Sequence, residues 1–381
     1  MTTPTLLIDK SRILNNYRDI KEALPEFHIA YAMKSNPHNS ILELLNDERA
    51  SFEVASINEI ATLCELDIPL NKVLFSNPVK PIESIAQAVE LGVQNFTFDS
   101  LTELSKFIPY KKQIQLMLRI DVSNQGSLWA LNNKFGCPAL LLPEIFKYMQ
   151  KHEIPLSGIS FHVGSQCEAE KTWDVAMNEA LEAILLAQSF DLHPDSLNIG
   201  GGFPIYMGRE IPSVKAIADR IHRKIGEWKT EQGIEIMNFY AEPGRFISGS
   251  AGTLITKIIG IADRMNEGQM EKWVYLDTGV FSGLMETIDG ITYPIISSGS
   301  GNLEEVMLCG PSCDSMDKMY STLLASPKVG DTLHLSGAGA YTTVYQTQFN
   351  GIDAPEIVFM DSSNDYPNEY PDDAINKNSE L

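Results

Sequence analysis

The stretch SFEVASINEIATLC, residues 51–64, reads as one complete strand-then-helix unit. SFEVA (51–55) is short, and its Phe52 and Val54 suit a strand packed inside a sheet. Ile57, Ile60, Ala61 and Cys64 then follow the i, i+3, i+4, i+7 spacing that gathers side chains on one buried helix face. Outward from it, similar runs occur at HIAYAM (28–33), VLFS (73–76), NFTFD (95–99), QLMLRI (115–120), GISFHV (158–163), SLNI (196–199) and IMNFYA (236–241). Most are followed by a helix-like stretch. Eight strand-then-helix units over about 215 residues predict a parallel α/β barrel of the triosephosphate-isomerase type, spanning 10–245.

A barrel of this kind places functional residues at the C-terminal ends of its strands. Just past the runs stand Lys34, Ser56, Asn77, Asp99, Arg119, His162, Gly200–Gly201–Gly202 and Glu242. Beyond Arg245 the pattern changes. GTLITKIIGIA (252–262), KWVYLDTGVF (272–281), VMLCG (306–310), DTLHLSG (331–337) and PEIVFM (355–360) are strand-like with little helix between them. They predict a second, mostly antiparallel β domain over 246–361. A strand at 4–9 joins it, and Asp9 caps a helix over 10–23. The acidic, polar segment 362–381 is expected to be a mobile tail.

The chain has 381 residues, 44% of them hydrophobic, and carries 29 basic against 50 acidic residues, a formal charge of −21. That charge repels phosphate backbones, which excludes nucleic acid as a partner, and it favours approach of cationic small molecules. No apolar run reaches the roughly 18 residues of a membrane span, and the opening MTTPTLLIDK shows no secretory pattern. Five cysteines, with no CxxC spacing, fit a reducing cytoplasm better than a disulfide scaffold.

Lys34, in YAMKSNP, closes an apolar strand. Poor solvation there is expected to lower its pKa and sharpen the amine as a nucleophile, although a rim lysine also snorkels to solvent. The glycine triplet in LNIGGGFP leaves backbone N–H groups free to approach a phosphate, though glycine runs also make plain turns. Ser165 in FHVGSQ would add a hydroxyl and Arg245 in AEPGRF a cation. Glu242 is placed to pair with a protonated pyridine nitrogen, and His162 to lay a flat ring on a planar cofactor. Cys313 in CGPSCDSMD is a candidate general acid, with Asp314 beside it for an ammonium. Tyr341 in GAGAYTTVY would offer a phenol. Neither an HxH pair nor HExxH occurs, so a barrel metal is disfavoured.

Taken in order, YAMKSNP, FEVAS, FHVGSQ, LNIGGGFP, AEPGRF, GPSCDSMD and GAYTTVYQTQFNG resemble the eukaryotic-type and short bacterial ornithine and lysine decarboxylases. These use pyridoxal 5′-phosphate on an alanine-racemase-like barrel, and the likeness runs from about residue 5 to 358. It implies that Lys34 carries the cofactor and Glu242 meets its ring nitrogen. His162 would stack on the ring, and Ser165, Gly201, Gly202, Gly244, Arg245 and Tyr341 would hold the phosphate end. Glu53, Glu59 and Arg119 match positions under the cofactor. Cys313 matches the proton donor to Cα and Asp314 a ligand of the distal amine, both entering from the second subunit of a homodimer.

Three departures stand out. Glu53 replaces the usual aspartate. Asn198 replaces an aspartate common before the glycines, with little effect expected. The loop GVFSGLMETIDGITYP is about one residue short after Asp289, which leaves the second amine ligand between Asp289, the preferred choice, and Glu286. The resemblance implies decarboxylation of ornithine to putrescine, a polyamine-forming step, or of lysine to cadaverine. Diaminopimelate, whose enzymes read CES where this chain reads Cys313-Asp314-Ser315, is the alternative substrate. Racemase-like chemistry and a non-catalytic regulatory homologue are the alternative classes.

Overall fold

The computed structural model describes residues 2–131, 134–266 and 268–361; the segment expected to form a tail, 362–381, lies outside the described residues. Strand β1 (Thr5–Asp9) leads directly into a helix over Lys10–Ala23. Asp9 caps that helix as expected, its carboxylate accepting from Arg12 N at 3.1 Å.

All eight runs form strands of one closed barrel. The first five are β2 (Phe27–Ala32), β3 (Ser51–Val54), β4 (Leu74–Phe75), β5 (Asn95–Phe98) and β6 (Gln115–Arg119). A short ribbon strand, β7 (Ser127–Trp129), precedes β8 (Gly158–Ser160) and pairs with β9 (Ser165–Cys167). Strands β10 (Ser196–Asn198) and β11 (Asn238–Ala241) complete the barrel, and β11 closes on β2 with Ala241 opposite Ile29. Every barrel pairing is parallel. The strands are buried on both faces, as parallel strands are. Tyr31, Phe52, Phe75, Phe96 and Phe98 are essentially inaccessible. Each such ring contributes about 1.5–3 kcal/mol on burial, so the barrel interior is a filled core rather than a pore.

The helix over Ile57–Glu65 turns a different face inward from the one its spacing predicts. Ile60 and Leu63 are fully buried, whereas Ala61 and Cys64 are exposed. Burying the long Leu63 removes more apolar area from water than burying Ala61, and the helix rotates accordingly.

The barrel strands end at Ala241 and the second sheet begins at Gly252. The division expected at 245/246 falls within the short helix Arg245–Ser248 between them. The second sheet is built from β12 (Gly252–Asn266), β13 (Gln269–Leu276), β14 (Ile295–Ser297), β15 (Leu303–Cys309), β16 (Lys318–Ala325), β17 (Thr332–Ser336) and β18 (Glu356–Met360), with β1 attached. It is mostly antiparallel. The exceptions among described strands are the β1–β18 and β13–β15 pairs. Strands β14 and β16 carry no clear sequence signal: β16 is half exposed and mixes Ser and Thr into its apolar positions. No described helix is long and apolar enough to cross a membrane.

Candidate active site

The upper end of the barrel holds a cleft lined by Lys34, His162, Gly201, Glu242, Arg245 and Tyr341, together with Ser165, Gly202 and Gly244. Lys34 stands in the single turn Met33–Ser35 that ends β2. Its Nζ donates to Glu53 Oε2 at 2.6 Å, and its side chain is 40% exposed while that of Glu53 is 1% exposed. Burial pulls the ammonium pKa down, but Glu53, Tyr341 and Glu242 outweigh it, and the net shift is upward. The expectation of a lowered Lys34 pKa is therefore corrected. The sequence places a lysine at a strand end, and the fold then surrounds it with carboxylates.

Another lysine meets the original criterion better. Lys80 is 1% exposed, and burial, opposed by Glu103, brings its pKa to about 8. Its Nζ is spent on Asn77 O at 2.6 Å, Thr97 O at 2.7 Å and Glu103 at 3.2 Å. It is a structural cation walled off from the cleft. Access, not basicity, separates the two lysines.

Glu242 follows β11 and is buried. Its Oε1 accepts from Ser76 Oγ at 2.5 Å and from Asn198 Nδ2 at 2.7 Å, so residues ending three strands meet on one oxygen. Ser76 is missed by the sequence reading. Asn198, expected to matter little, is a direct partner of the carboxylate.

His162 accepts a hydrogen bond at Nδ1 from Gly164 N at 3.0 Å, which puts the proton of the neutral ring on Nε2. Burial, with Arg119 and Lys34 nearby, holds its pKa well below the usual histidine value, so the ring is uncharged. At Gly201 a Cβ would lie 2.7 Å from Glu242 O and 3.1 Å from His162 Nε2. Gly202 has φ +106°, and a Cβ there would come within 2.4 Å of Gly164 O. The triplet is thus required for close approach.

Arg245 is buried beside Ser165, whose Oγ accepts from Nε and Nη2 at 3.3 Å. The guanidinium carbon lies 4.8 Å from the Tyr341 ring centre, and Tyr341 adopts φ +61° with its N–H donating to Ser35 O at 2.7 Å. Arg245 Nη2 also donates to Glu286 Oε1 at 2.5 Å, with both side chains at most 5% exposed. Glu286 is thus paired with the arginine. Its other carboxylate oxygen, Oε2, is buried with no hydrogen-bond partner among the described residues.

Below the cleft, Arg119 is pulled downward in pKa by burial, with Glu242, Asp99 and Glu53 opposing. Glu59 accepts from Ala55 N at 2.5 Å, while its own N–H donates to Ser56 Oγ at 3.3 Å. Ser56 thus caps a helix. Asn77 donates to Ala55 O at 3.2 Å, and Asp99 accepts from Gly136 N at 3.0 Å. These strand-end residues hold loops rather than face the cleft. Gln166, fully buried at φ +54° and bonded both ways to Ile205, lines the cleft unnoticed in the sequence beside Ser165.

Cys313, Asp314 and Asp289 are exposed and do not line this cleft. The loop bearing Cys313 is pinned by buried Asp317, which accepts from Val280 N and Ser312 N at 2.8 and 2.9 Å. Cys313 N donates to Asn350 Oδ1 at 2.9 Å. The thiol and its neighbouring carboxylate are presented outward.

Residues 10–249 match the family described as pyridoxal-dependent decarboxylase, pyridoxal binding domain. The chain is 33% identical to the lysine/ornithine decarboxylase of Selenomonas ruminantium over 365 residues, covering 94% of this chain and 90% of that protein. Among solved structures it is similar to the lysine/ornithine decarboxylase of Vibrio vulnificus complexed with putrescine (29% identity, TM-score 0.83, 94% of each chain). It is also similar to the arginine decarboxylase of Paramecium bursaria Chlorella virus bound to agmatine (25% identity, TM-score 0.83, 94% and 98%).

Proposed function

The chain belongs to the pyridoxal-dependent decarboxylases, and from that premise we propose that it decarboxylates a basic L-amino acid, ornithine to putrescine first and lysine to cadaverine second. It is an amino-acid decarboxylase whose cofactor is pyridoxal 5′-phosphate. The observation that carries the residue assignments is the convergence of Lys34, Glu242 and Arg245 on one cleft.

The residues present fit that cofactor. Arg245 Nη1 is buried without a hydrogen-bond partner among the described residues, which leaves a cationic donor for a phosphate. Gly201 and Gly202 leave open the space that a Cβ would fill. Lys34 would hold the aldehyde end, Glu242 the ring nitrogen, and Ser165, Gly201, Gly202, Gly244, Arg245 and Tyr341 the phosphate. When bound, pyridoxal phosphate supplies an electron sink for the pair left on Cα as the carboxylate departs.

The chain's own groups define the rest. Glu242, held by Ser76 and Asn198 through Oε1, is oriented to accept from a ring N–H. Neutral His162 presents a flat face without competing for that charge. Before the cofactor is bound, Glu53, with Arg119 and Glu59 nearby, holds Lys34 in the cleft. Cys313 donates a proton to Cα and Asp314 receives the distal ammonium, both reaching the cleft of the partner in a homodimer, and Asp289 is the preferred second ligand of that ammonium. The outward exposure of Cys313 and Asp314 supports this reading. A soluble cytoplasmic enzyme of the polyamine branch is the setting that fits it.

A screen of carbon dioxide release from ornithine, lysine, arginine and diaminopimelate by the cofactor-loaded protein tests the substrate. Turnover on ornithine or lysine well above the others is expected. Preference for diaminopimelate would overturn the assignment of paired carboxylates to a bare ammonium.

A further inference from the structure

A second cavity, of about 550 Å³, opens at the other end of the barrel from the candidate active site. Its walls are the N-terminal ends of β2 and β3, Lys72 just before β4, and the helix Lys10–Ala23. That volume lies in the range of about 300–1,000 Å³ typical of small-molecule sites. The N-terminal face of such barrels ordinarily serves stability, so the decarboxylase chemistry gives no reason for a charged cavity there.

The cavity reverses the charge balance of the chain. Arg18, Lys21, Arg49 and Lys72 line it with Glu22 and Glu48, four cations to two carboxylates, whereas the whole chain carries 29 basic and 50 acidic residues. Arg18 is paired with Glu48. Lys21 donates to Phe27 O at 2.7 Å and is drawn by Glu26, outside the cavity. Arg49 and Lys72 make no ion pair among the described residues. His28 stands among these cations: burial lowers its pKa, and Lys21 and Lys72 push it the same way. Like charges gathered in this manner repel one another until an anion joins them.

The backbone and the lining hydroxyls point to the same kind of ligand. Arg49 holds φ +61° in the turn that ends the helix Asn39–Asp47, its N–H donating to Asn46 O at 2.8 Å while Ala50 N donates to Leu45 O at 3.0 Å. Glycine or asparagine ordinarily takes that left-handed position. Here it carries a guanidinium. Tyr17 and Ser51, the buried polar members of the lining, have hydroxyls that make no hydrogen bond among the described residues. A lone carboxylate meets one such group, whereas a compact polyanion presents oxygens to several at once.

We propose that this cavity binds a phosphorylated small molecule carrying at least two phosphate charges, held by Arg49 and Lys72 with Tyr17 and Ser51 as hydroxyl donors.

The test is calorimetric titration of the dialysed, cofactor-loaded protein with inorganic triphosphate and with adenosine triphosphate, without divalent metal and at about physiological ionic strength. Loading fills the phosphate end of the active-site cleft, so a probe that binds must bind elsewhere. One equivalent per chain is expected. Arg49→Gly, which suits the positive φ, and Lys72→Ala should each weaken binding about tenfold, and the two together should abolish it. Both side chains are exposed, so the fold survives their loss. Lys147→Ala and Lys328→Ala, at exposed positions that do not line the cavity, should each change affinity less than about twofold. Turnover without added probe should match the parent in all four. Tighter binding of the nucleotide assigns the remaining volume to a nucleoside, and equal binding assigns the site to the phosphate chain alone. No binding by the parent, equal weakening by the Lys147 and Lys328 substitutions, or binding that appears only after the cofactor is removed overturns the proposal.

Discussion

Lys34 Nζ and Glu53 Oε2 are 2.6 Å apart, and the carboxylate of the pair is buried while the amine opens into the cleft. The pairing orients the lysine and keeps it charged. It also makes basicity a poor guide to which lysine reacts, since Lys80 has the lower pKa and no access.

Borohydride reduction of the cofactor-loaded protein, followed by peptide mapping, is therefore expected to place the pyridoxyl group on Lys34. Lys34→Ala should lose both the adduct and activity. An adduct on Lys80 would refute the argument from access.

Glu53→Gln removes the nearest counter-charge from Lys34. Burial then acts against a weaker opposing pull, so the Lys34 pKa must fall. Cofactor uptake by the apoprotein, followed against pH, should reach its plateau at lower pH than in the parent. The sign for stability follows from the raised pKa in the folded state. The contribution of Lys34 is complete below its unfolded value, near 10.5, and is lost only as pH rises through the higher folded value. Glu53 itself is raised to about 7 by burial, so acidification through that value protonates the carboxylate and loosens the pair.

Glu286→Ala leaves the buried Arg245 guanidinium without its counter-charge. Breaking such a pair costs about 3–5 kcal/mol, so the apoprotein should melt well below the parent. Bound phosphate supplies a new anion, and saturating pyridoxal phosphate should restore much of the loss by mass action. Equal destabilisation of apo and loaded protein would show that Glu286 supports the fold through something other than Arg245.

Shared sites predict complementation. Lys34→Ala and Cys313→Ala proteins, each inactive alone for formation of the correct amine, should recover activity when mixed. Each hybrid dimer contains one site with both residues and one with neither, and random exchange makes roughly half the dimers hybrid. Recovery should approach about a quarter of the parental sites. No recovery, with hybrids confirmed by mass spectrometry, would place Cys313 outside the partner's site.

Much of this protein is legible in one dimension. Strand composition and helix spacing are local properties, so the eight runs become the eight barrel strands, and Asp9 caps its helix. Barrel geometry then draws the strand ends to one rim, which is why Lys34, His162, Gly201, Glu242 and Arg245 meet on one cleft. Partners separated by many residues are not written locally. Ser76 and Asn198 reach Glu242 across 166 and 44 residues, and Glu286 reaches Arg245 across 41. The sequence by itself determined which residues stand at the barrel rim, because periodicity and strand length are short-range. Only the tertiary structure decided their charge states and partners, because burial and Coulomb interaction depend on distance in space. That is why Lys34 is more basic than its strand-end position suggests, why Glu286 belongs to an arginine, and why Asn198 meets Glu242.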